Sequence, residues 1–257
     1  LERNRDIPIE TLELIDDKND KKGMMVCLQG TNSGAHLNFG EFRMPADPFK
    51  VYAGSSLALQ AADNGYLAIS FDRIGYGERR ETELKKQSLL PVVDTSLHSL
   101  ALGNSLLGET ISEIYTISKW FKNKYRYPLW LVGYSSAGSV ASVAGALFDD
   151  DIDGICIGGC IGPFKDTILI RGATAHLEIQ ECIKWFGQEI LLQLMAPRSC
   201  IVIAGTKDHI WPYDGAKVIY DKSKSIYELY LAQNRLELIK ANGVHTYYPE
   251  LMWESIN

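Results

Sequence analysis

The sequence predicts an α/β protein in which a mostly parallel, twisted β-sheet is covered by helices on both faces. Short apolar runs alternate with longer helical patterns along the chain, and this alternation is typical of such a sheet. The runs are continuously apolar, as expected for strands that are buried on both faces. No linker or internal repeat divides the 257 residues, so we expect one domain over residues 1–257.

Seven apolar runs are the strand candidates, at residues 9–14, 24–28, 66–71, 129–134, 155–161, 200–204 and 236–240. The helical patterns lie near residues 55–64, 105–122, 136–148 and 213–232. Because a short turn at residues 16–22 separates the first two strands, we expect them to form an antiparallel hairpin at the edge of the sheet.

The connection at residues 162–197 is longer than a simple crossover. Ordered insertions of this length in a compact domain usually have a function. The sequence predicts one of two arrangements for it, a small cap over the strand ends or a segment whose aromatic residues simply pack on the domain.

The composition excludes several classes of protein. A net charge of −6 without a basic stripe argues against nucleic acid as a partner. No apolar run approaches the roughly 18–20 residues of a membrane helix, so we expect no membrane partner.

The five cysteines include no Cys-x-x-Cys pair and no spacing typical of a zinc site, which predicts buried, reduced thiols and no metal. Reduced thiols favour a reducing compartment, and we expect a cytoplasmic protein. The N-terminal residue, Leu1, gives no indication of location.

The most informative motif is the segment at residues 133–138. It reads Gly-Tyr-Ser-Ser-Ala-Gly and lies between an apolar strand and a helix of small residues, the context in which a Gly-x-Ser-x-Gly pattern presents a nucleophilic serine. Ser135 is then the nucleophile, on a strained turn that requires small residues at Gly133 and Ala137. Alanine replaces the last glycine of the pattern, and we expect the turn to tolerate the added methyl group.

A serine nucleophile needs a histidine to accept its proton and a carboxylate to orient that histidine. Around such a turn the partners follow in the chain order serine, acid, histidine, each just beyond a strand. Asp208 follows the strand at 200–204, and His245 follows the strand at 236–240. We therefore predict Asp208 as the acid and His245 as the base, with Asp166 as the alternative acid.

The developing oxyanion requires two backbone N–H donors. We predict that one donor is Ser136, directly after the nucleophile. The second is Thr31, in the loop after the strand at 24–28, with its neighbour Asn32 as the alternative.

Further residues near the predicted site are candidates for substrate binding. They are Asn32 in the loop after the strand at 24–28, His176 and Trp185 in the long connection, and Trp211 beyond the predicted acid. His36 lies in a glycine-containing loop close to the site, where we expect it to be exposed.

With these residues in order, the chain resembles the α/β-hydrolase superfamily over nearly its whole length, in particular its dienelactone-hydrolase and acetylxylan-esterase-like branch. Beyond the 133–138 motif, four stretches carry the resemblance, 71–79 (Phe-Asp-Arg-Ile-Gly-Tyr-Gly-Glu-Arg), 196–199 (Ala-Pro-Arg-Ser), 205–208 (Gly-Thr-Lys-Asp) and 242–245 (Asn-Gly-Val-His). The resemblance implies the α/β-hydrolase fold with a small cap-like insertion. We expect Asp72 and Arg73 in the first stretch to fix their loop by ion pairing.

Two positions depart from that branch. Relatives often carry His-Gly where this chain has Gln29-Gly30, which leaves the hydrogen bonding of the loop open. Dienelactone hydrolases often use cysteine where this chain has Ser135, so the resemblance implies esterase-like chemistry.

The sequence thus predicts a serine hydrolase that cleaves small-molecule carboxylic esters through an acyl-enzyme, without cofactor or metal. The resemblance alone suggests acetyl esters of sugars. Two alternatives remain, an amidase or peptidase with the same triad and a non-catalytic, hydrolase-like binding module. Matched ester and amide substrates would test the first alternative, and fluorophosphonate labelling of Ser135 the second. The sequence indicates neither the oligomeric state nor the acyl and alcohol preference.

Overall fold

The computed structural model describes residues 6–14, 21–80, 91–170, 177, 179, 181–185 and 187–256. These residues contribute seven strands to one sheet, namely β1 (Ile9–Leu12), β2 (Gly23–Leu28), β3 (Tyr66–Phe71), β4 (Leu129–Tyr134), β5 (Gly154–Gly158), β6 (Ser199–Gly205) and β7 (Leu236–Ala241). All seven predicted strands are present. The largest shift is at β5, which ends at Gly158 instead of residue 161.

The strands have the order β1-β3-β2-β4-β5-β6-β7. Strands β2 to β7 pair in parallel, and β1 is antiparallel to β3, with Ile9 opposite Phe71. The predicted hairpin between β1 and β2 is therefore wrong, because β1 pairs with β3. As expected, β1 is antiparallel and lies at the edge of the sheet. The reason is that parallel neighbours occupy both edges of β2, so β1 pairs with the outer edge of β3.

Helices flank the sheet along the described chain. They are α1 (Asp47–Tyr52), α2 (Leu57–Asp63), α3 (Pro91–Ala101), α4 (Leu106–Tyr125), α5 (Ser136–Leu147), α6 (Cys182–Trp185), α7 (Glu189–Met195), α8 (Tyr213–Leu229) and α9 (Pro249–Ile256). The four predicted helices correspond to α2, α4, α5 and α8. The predictions missed α1, α3, α6, α7 and α9. Of these, α1, α3 and α9 each have a proline in the first turn, a position that favours helix initiation.

Successive side chains of the strands enter two cores on opposite faces of the sheet, as strand geometry requires. Met24, Val26 and Leu28 of β2 contact the core beneath α4, α5, α7 and α8. Met25 and Cys27 contact the core beneath α2 and α9. The predicted coverage of both faces by helices is confirmed.

The connection between β5 and β6 contains a π-helical turn at Lys165–Leu169, followed by α6 and α7. Leu192 and Met195 of α7 are fully buried in the main core, so this part of the connection packs on the body of the protein. Leu169 and Trp185 are largely exposed. Residues 171–176 lie outside the described residues.

All five cysteines are buried, as predicted, and none forms a disulfide. No helix among the described residues has both the length and the hydropathy needed to cross a membrane.

Candidate active site

The carboxyl ends of the parallel strands bring distant parts of the sequence to one edge of the sheet. The loops after β2, β4, β6 and β7 carry the predicted oxyanion residue, nucleophile, acid and base. In open α/β sheets this edge is the usual location of a binding site.

Ser135 occupies the turn between β4 and α5 with φ of 58° and ψ of −127°. Non-glycine residues rarely adopt such a conformation, which costs of order 1–3 kcal/mol. The Ser135 N–H donates to the carbonyl of Gly158 at 2.8 Å, and the Ser135 carbonyl accepts from the N–H of Ser139 at 3.0 Å. These two bonds hold the strained turn between β5 and the first turn of α5.

Small residues allow β4 and α5 to approach each other at this turn. A Cβ atom added at Gly133 would lie 2.8 Å from the backbone carbonyl of Ala137, and one added at Gly138 would lie 2.5 Å from Sγ of Cys160. Ala137 is fully buried, so the turn accommodates its methyl group. The glycine at 138, one position later than in the usual motif, is required for packing against β5 and its following loop.

The predicted acid and base are in contact. Nδ1 of His245 lies 2.7 Å from Oδ2 of Asp208, and Oδ1 of Asp208 accepts from the N–H groups of Ile210 and Trp211 at 2.8 Å each. A carboxylate can only accept hydrogen bonds, so Nδ1 carries the proton and Nε2 is left as an acceptor. The alternative acid, Asp166, is exposed on the π-helical turn.

The environment of Asp208 keeps its carboxylate ionised. Burial opposes ionisation, because the side chain is fully enclosed. The hydrogen bonds from His245 and from the N–H groups of Trp211 and Ile210 outweigh that penalty, so the pKa of Asp208 is lowered from its ordinary value. The ionised carboxylate is then available to orient the imidazole and to stabilise its cationic form.

Backbone hydrogen bonds join the acid loop to the histidine loop. The N–H of Thr206 donates to the carbonyl of Ala241 at 2.9 Å, and the N–H of Lys207 donates to the carbonyl of Gly243 at 2.8 Å. The ring of Tyr134, next to the nucleophile, lies 5.0 Å from the ring of His245. The histidine is thus held against the nucleophile turn as well as against its acid.

Gln29 organises the loop after β2 through all four hydrogen-bonding positions of its buried amide. Nε2 donates to Oδ1 of Asn38 at 2.5 Å and to the carbonyl of Ser55 at 2.7 Å. Oε1 accepts from Nδ2 of Asn32 at 2.6 Å and from the hydroxyl of Tyr247 at 3.0 Å. Burial raises the pKa of Tyr247 to about 12, so its hydroxyl remains a donor. The glutamine at this position therefore links the oxyanion loop to the histidine loop.

The two predicted oxyanion donors lie side by side. The hydroxyl of Thr31 donates to Oγ of Ser136 at 3.0 Å, and a Cβ at Gly30 would lie 2.8 Å from the carbonyl of Tyr134. In the part of the chain that the structure describes, neither the Thr31 N–H nor the Ser136 N–H has a hydrogen-bond acceptor. Thr31 is exposed, whereas Ser136 is fully buried.

Arg73 lies behind these donors. One of its nitrogens, Nη2, donates to Oγ of Ser136 at 2.8 Å and to the carbonyls of Gln29 at 2.8 Å and Gly30 at 3.3 Å. The predicted ion pairing of Asp72 and Arg73 is wrong. Asp72 instead accepts from the N–H groups of Ala35, in the segment after β2, at 2.6 Å and of Glu78, in its own turn, at 2.8 Å.

The prediction for His36 is also wrong, because this residue is buried. Its Nε2 lies 2.8 Å from Oδ2 of Asp47, and Oδ1 of Asp47 accepts from the Ser33 hydroxyl at 2.5 Å. Oδ2 also accepts from the N–H groups of Arg43 and Met44. Asp47 was not anticipated, because no local pattern in the sequence indicates that a carboxylate at α1 closes over the oxyanion loop.

The candidate substrate-binding residues have different surroundings. The Asn32 side chain bonds to Gln29 within the loop. Trp211 is buried, and its backbone supports Asp208. Trp185 is 70% exposed, with its indole N–H donating to Glu181. His176 lies outside the described residues.

A cleft lies beside the first turns of α5 and under the long connection. Ser139, one turn after the nucleophile, contributes an enclosed hydroxyl that has no hydrogen-bond partner among the described residues. The wall is mainly apolar. It includes Leu107, Ser139, Val143, Phe164, Leu177 and Leu191.

The strand order and the arrangement of these loops are those of the α/β-hydrolase fold, as predicted. Among solved structures it is similar to a protein from Bacteroides fragilis assigned as an acetyl xylan esterase, with a TM-score of 0.71, 19% identity and 90% of this chain covered. The chain spans 62% of the length of that protein. It is also similar to a glucuronoyl esterase from Solibacter usitatus, with a TM-score of 0.66 and 14% identity over 97% of this chain and 75% of the other.

An esterase from Pyrococcus furiosus gives a TM-score of 0.55 at 14% identity, over 93% of this chain and 84% of the other. No protein-family model matches the sequence, and no curated protein matches it. At these identities the structural likeness defines the fold, and the chemistry must be argued from the site itself.

Proposed function

We propose that this protein is a serine hydrolase that cleaves carboxylic esters. The observation that carries the proposal is the hydrogen bond between Asp208 and His245 at 2.7 Å, beside a serine whose backbone is held at a φ of 58°. Strain of this kind persists only where the surrounding structure enforces it. The free N–H groups of Thr31 and Ser136 complete the parts that acyl transfer requires.

In the proposed mechanism, the hydroxyl oxygen of Ser135 attacks the acyl carbon while Nε2 of His245 accepts the proton. Asp208 orients the imidazole and stabilises its cation. The N–H groups of Thr31 and Ser136 bind the tetrahedral oxyanion. His245 then protonates the leaving alcohol, and water releases the acyl group by the same steps in reverse.

The class of substrate is proposed from the similar structures. The names of the similar structures, an acetyl xylan esterase and a glucuronoyl esterase, support esters of carbohydrates, and short acyl groups such as acetyl are the first to test.

The first prediction concerns the nucleophile. Replacing Ser135 by alanine should reduce hydrolysis of p-nitrophenyl acetate by at least about 10⁴-fold, because the attacking oxygen is lost. The circular dichroism spectrum and melting temperature should stay close to those of the wild type. A fluorophosphonate should label the wild type at Ser135 and should not label the variant.

The matched control is Ser112→Ala, which removes an exposed hydroxyl from α4, away from the site. It should keep the wild-type rate and the wild-type labelling. An S135A variant that still turns over at the wild-type rate would contradict the proposal. So would a wild-type protein that neither hydrolyses the ester nor reacts with the fluorophosphonate, as expected of a binding module.

A further inference from the structure

Arg73 is a buried cation in the turn after β3. It is 3% exposed, and no carboxylate among the described residues pairs with it. Its guanidinium carbon lies 4.5 Å from the centre of the Tyr76 ring, which fixes the plane of the group. Burying an unpaired charge costs free energy unless hydrogen bonds compensate for the lost water. The hydrogen-bond acceptors of Arg73 therefore indicate the role of this residue.

Two of the three acceptors, the Gly30 carbonyl and Oγ of Ser136, belong to the two halves of the proposed oxyanion hole, and the third, the Gln29 carbonyl, belongs to the preceding peptide of the same loop. The carbonyl of Gly30 and the N–H of Thr31 are the two ends of one peptide group, and a trans peptide directs them to opposite sides. Because the guanidinium of Arg73 binds the Gly30 carbonyl on one side, the Thr31 N–H points to the other side, towards the proposed site. The bound charge also polarises that N–H and makes it a better donor. Oγ of Ser136 belongs to the residue that supplies the other N–H.

The charge itself acts in the same direction. The ester carbonyl is neutral in the ground state, whereas its oxygen becomes negative in the tetrahedral intermediate. A fixed positive potential inside a water-poor site stabilises the second state more than the first. The effect should therefore be on kcat more than on KM.

We propose that Arg73 is the positioning residue of the oxyanion hole, holding the Gly30–Thr31 peptide and Ser136 in place and providing positive potential behind their N–H groups. The inference rests on the proposed function. It assigns to the turn after β3 a role in the reaction in addition to its role in the fold.

The test compares Arg73→Lys, which keeps the charge and loses the fork of donors, with Arg73→Met, which loses both. Removing a single oxyanion donor typically lowers kcat by 10²–10³-fold. We expect R73M to lower kcat for p-nitrophenyl acetate by about 100-fold and R73K by about 10-fold, with KM changed by less than about threefold. The inhibition constant of phenylboronic acid, which forms a tetrahedral anionic adduct with the serine, should rise in parallel with the loss in kcat.

The matched control is Arg79→Lys, in the same turn. The Arg79 side chain is 8% exposed, but it pairs with Glu113 and donates to the carbonyl of Asp72, so its variant should lower the melting temperature and leave kcat and boronate inhibition unchanged. All assays are made at least about 20 °C below the measured melting temperature of each variant. If R73M does not fold, the R73K comparison with R79K still decides the question.

The outcomes separate the two proposals. An inactive wild type, or an active S135A variant, overturns the proposed function and this inference together. An active wild type with an inactive S135A variant, but with kcat and boronate inhibition of the folded Arg73 variants within threefold of the wild type, overturns the inference alone. Parallel losses in kcat and boronate affinity, absent in R79K, support it.

Discussion

At the scale of single residues, the candidate site depends on buried polar groups that each make several hydrogen bonds. Asp208 accepts from one side chain through Oδ2 and from two backbone N–H groups through Oδ1. Gln29 uses both donors and both acceptor positions of its amide. Groups bonded in this way hold one geometry, because a rearrangement would leave a buried polar atom unpaired.

The prediction at this scale concerns the acid. Asp208→Asn keeps the size of the side chain but offers the imidazole an amide group in place of a carboxylate. The imidazole can then adopt the tautomer in which Nε2 is protonated and can no longer accept the serine proton. We expect kcat for p-nitrophenyl acetate to fall by about three to four orders of magnitude, measured at pH 7 with the variant shown to be folded.

Asp166→Asn is the control, because it makes the same chemical change at the exposed alternative acid. It should retain the wild-type rate. The assignment of Asp208 would be wrong if D166N lost activity while D208N kept it.

At the scale of elements, the nucleophile depends on how closely β4 and α5 approach. The backbone of Ser135 is strained because the chain must turn from a buried strand into a buried helix within one residue. The Gly133–Ala137 and Gly138–Cys160 contacts leave no room for a larger group at either glycine. The position of the serine is therefore set by packing between the two elements.

Gly133→Ala tests this dependence. The new methyl group would lie 2.8 Å from the backbone of Ala137, so β4 and α5 must separate and the serine must shift. Overpacking of this kind costs about 1–3 kcal/mol. We expect a lower midpoint in urea denaturation and at least about tenfold lower esterase activity in the folded protein.

A glycine elsewhere provides the comparison. Gly108 lies in the first turn of α4, where the nearest contact of an added Cβ is the Ser105 hydroxyl at 3.0 Å. Gly108→Ala should leave activity unchanged and raise stability by up to about 1 kcal/mol, since alanine is the better helix former. Equal behaviour of the two variants would mean that the β4–α5 contact is not limiting.

At the scale of the whole molecule, buried carboxylates make stability depend on pH. Burial of Asp47 opposes ionisation, but hydrogen bonds from Ser33, His36 and two backbone N–H groups outweigh it and lower its pKa to about 2. The pKa of Asp208 is lowered as well. A lowered carboxyl pKa contributes stability above the unfolded-state pKa, about 3.9, and that contribution is lost as the pH falls through the folded value.

We therefore expect the free energy of unfolding, measured by urea denaturation, to decrease between about pH 4 and pH 2. Asp47→Asn should be less stable than the wild type at pH 7 and should show a flatter dependence on pH in that window. Ser33→Ala, which removes one of the bonds to Asp47, should lie between the two. Parallel curves for wild type and D47N would show that Asp47 does not contribute.

Much of the fold was predictable from local patterns. The apolar runs located all seven strands, because strands buried on both faces must be continuously apolar. The long helices α4, α5 and α8 followed from their periodicity. The short helices α6 and α7 were missed, since four to seven residues contain too few turns for a periodic signal, and their packing on the body stabilises them.

What the sequence by itself determined is the chain order of the candidate site, with Ser135, Asp208 and His245 each following a strand, and the small residues that a tight turn demands. The tertiary structure decided which groups meet. It paired β1 with β3, buried His36 against Asp47, and brought Arg73 onto Ser136, which is 63 positions away in the chain. The physical reason is that turn geometry and hydrophobic periodicity are local properties of the chain, whereas a buried polar group takes whichever partner the packed sheet brings within hydrogen-bonding distance.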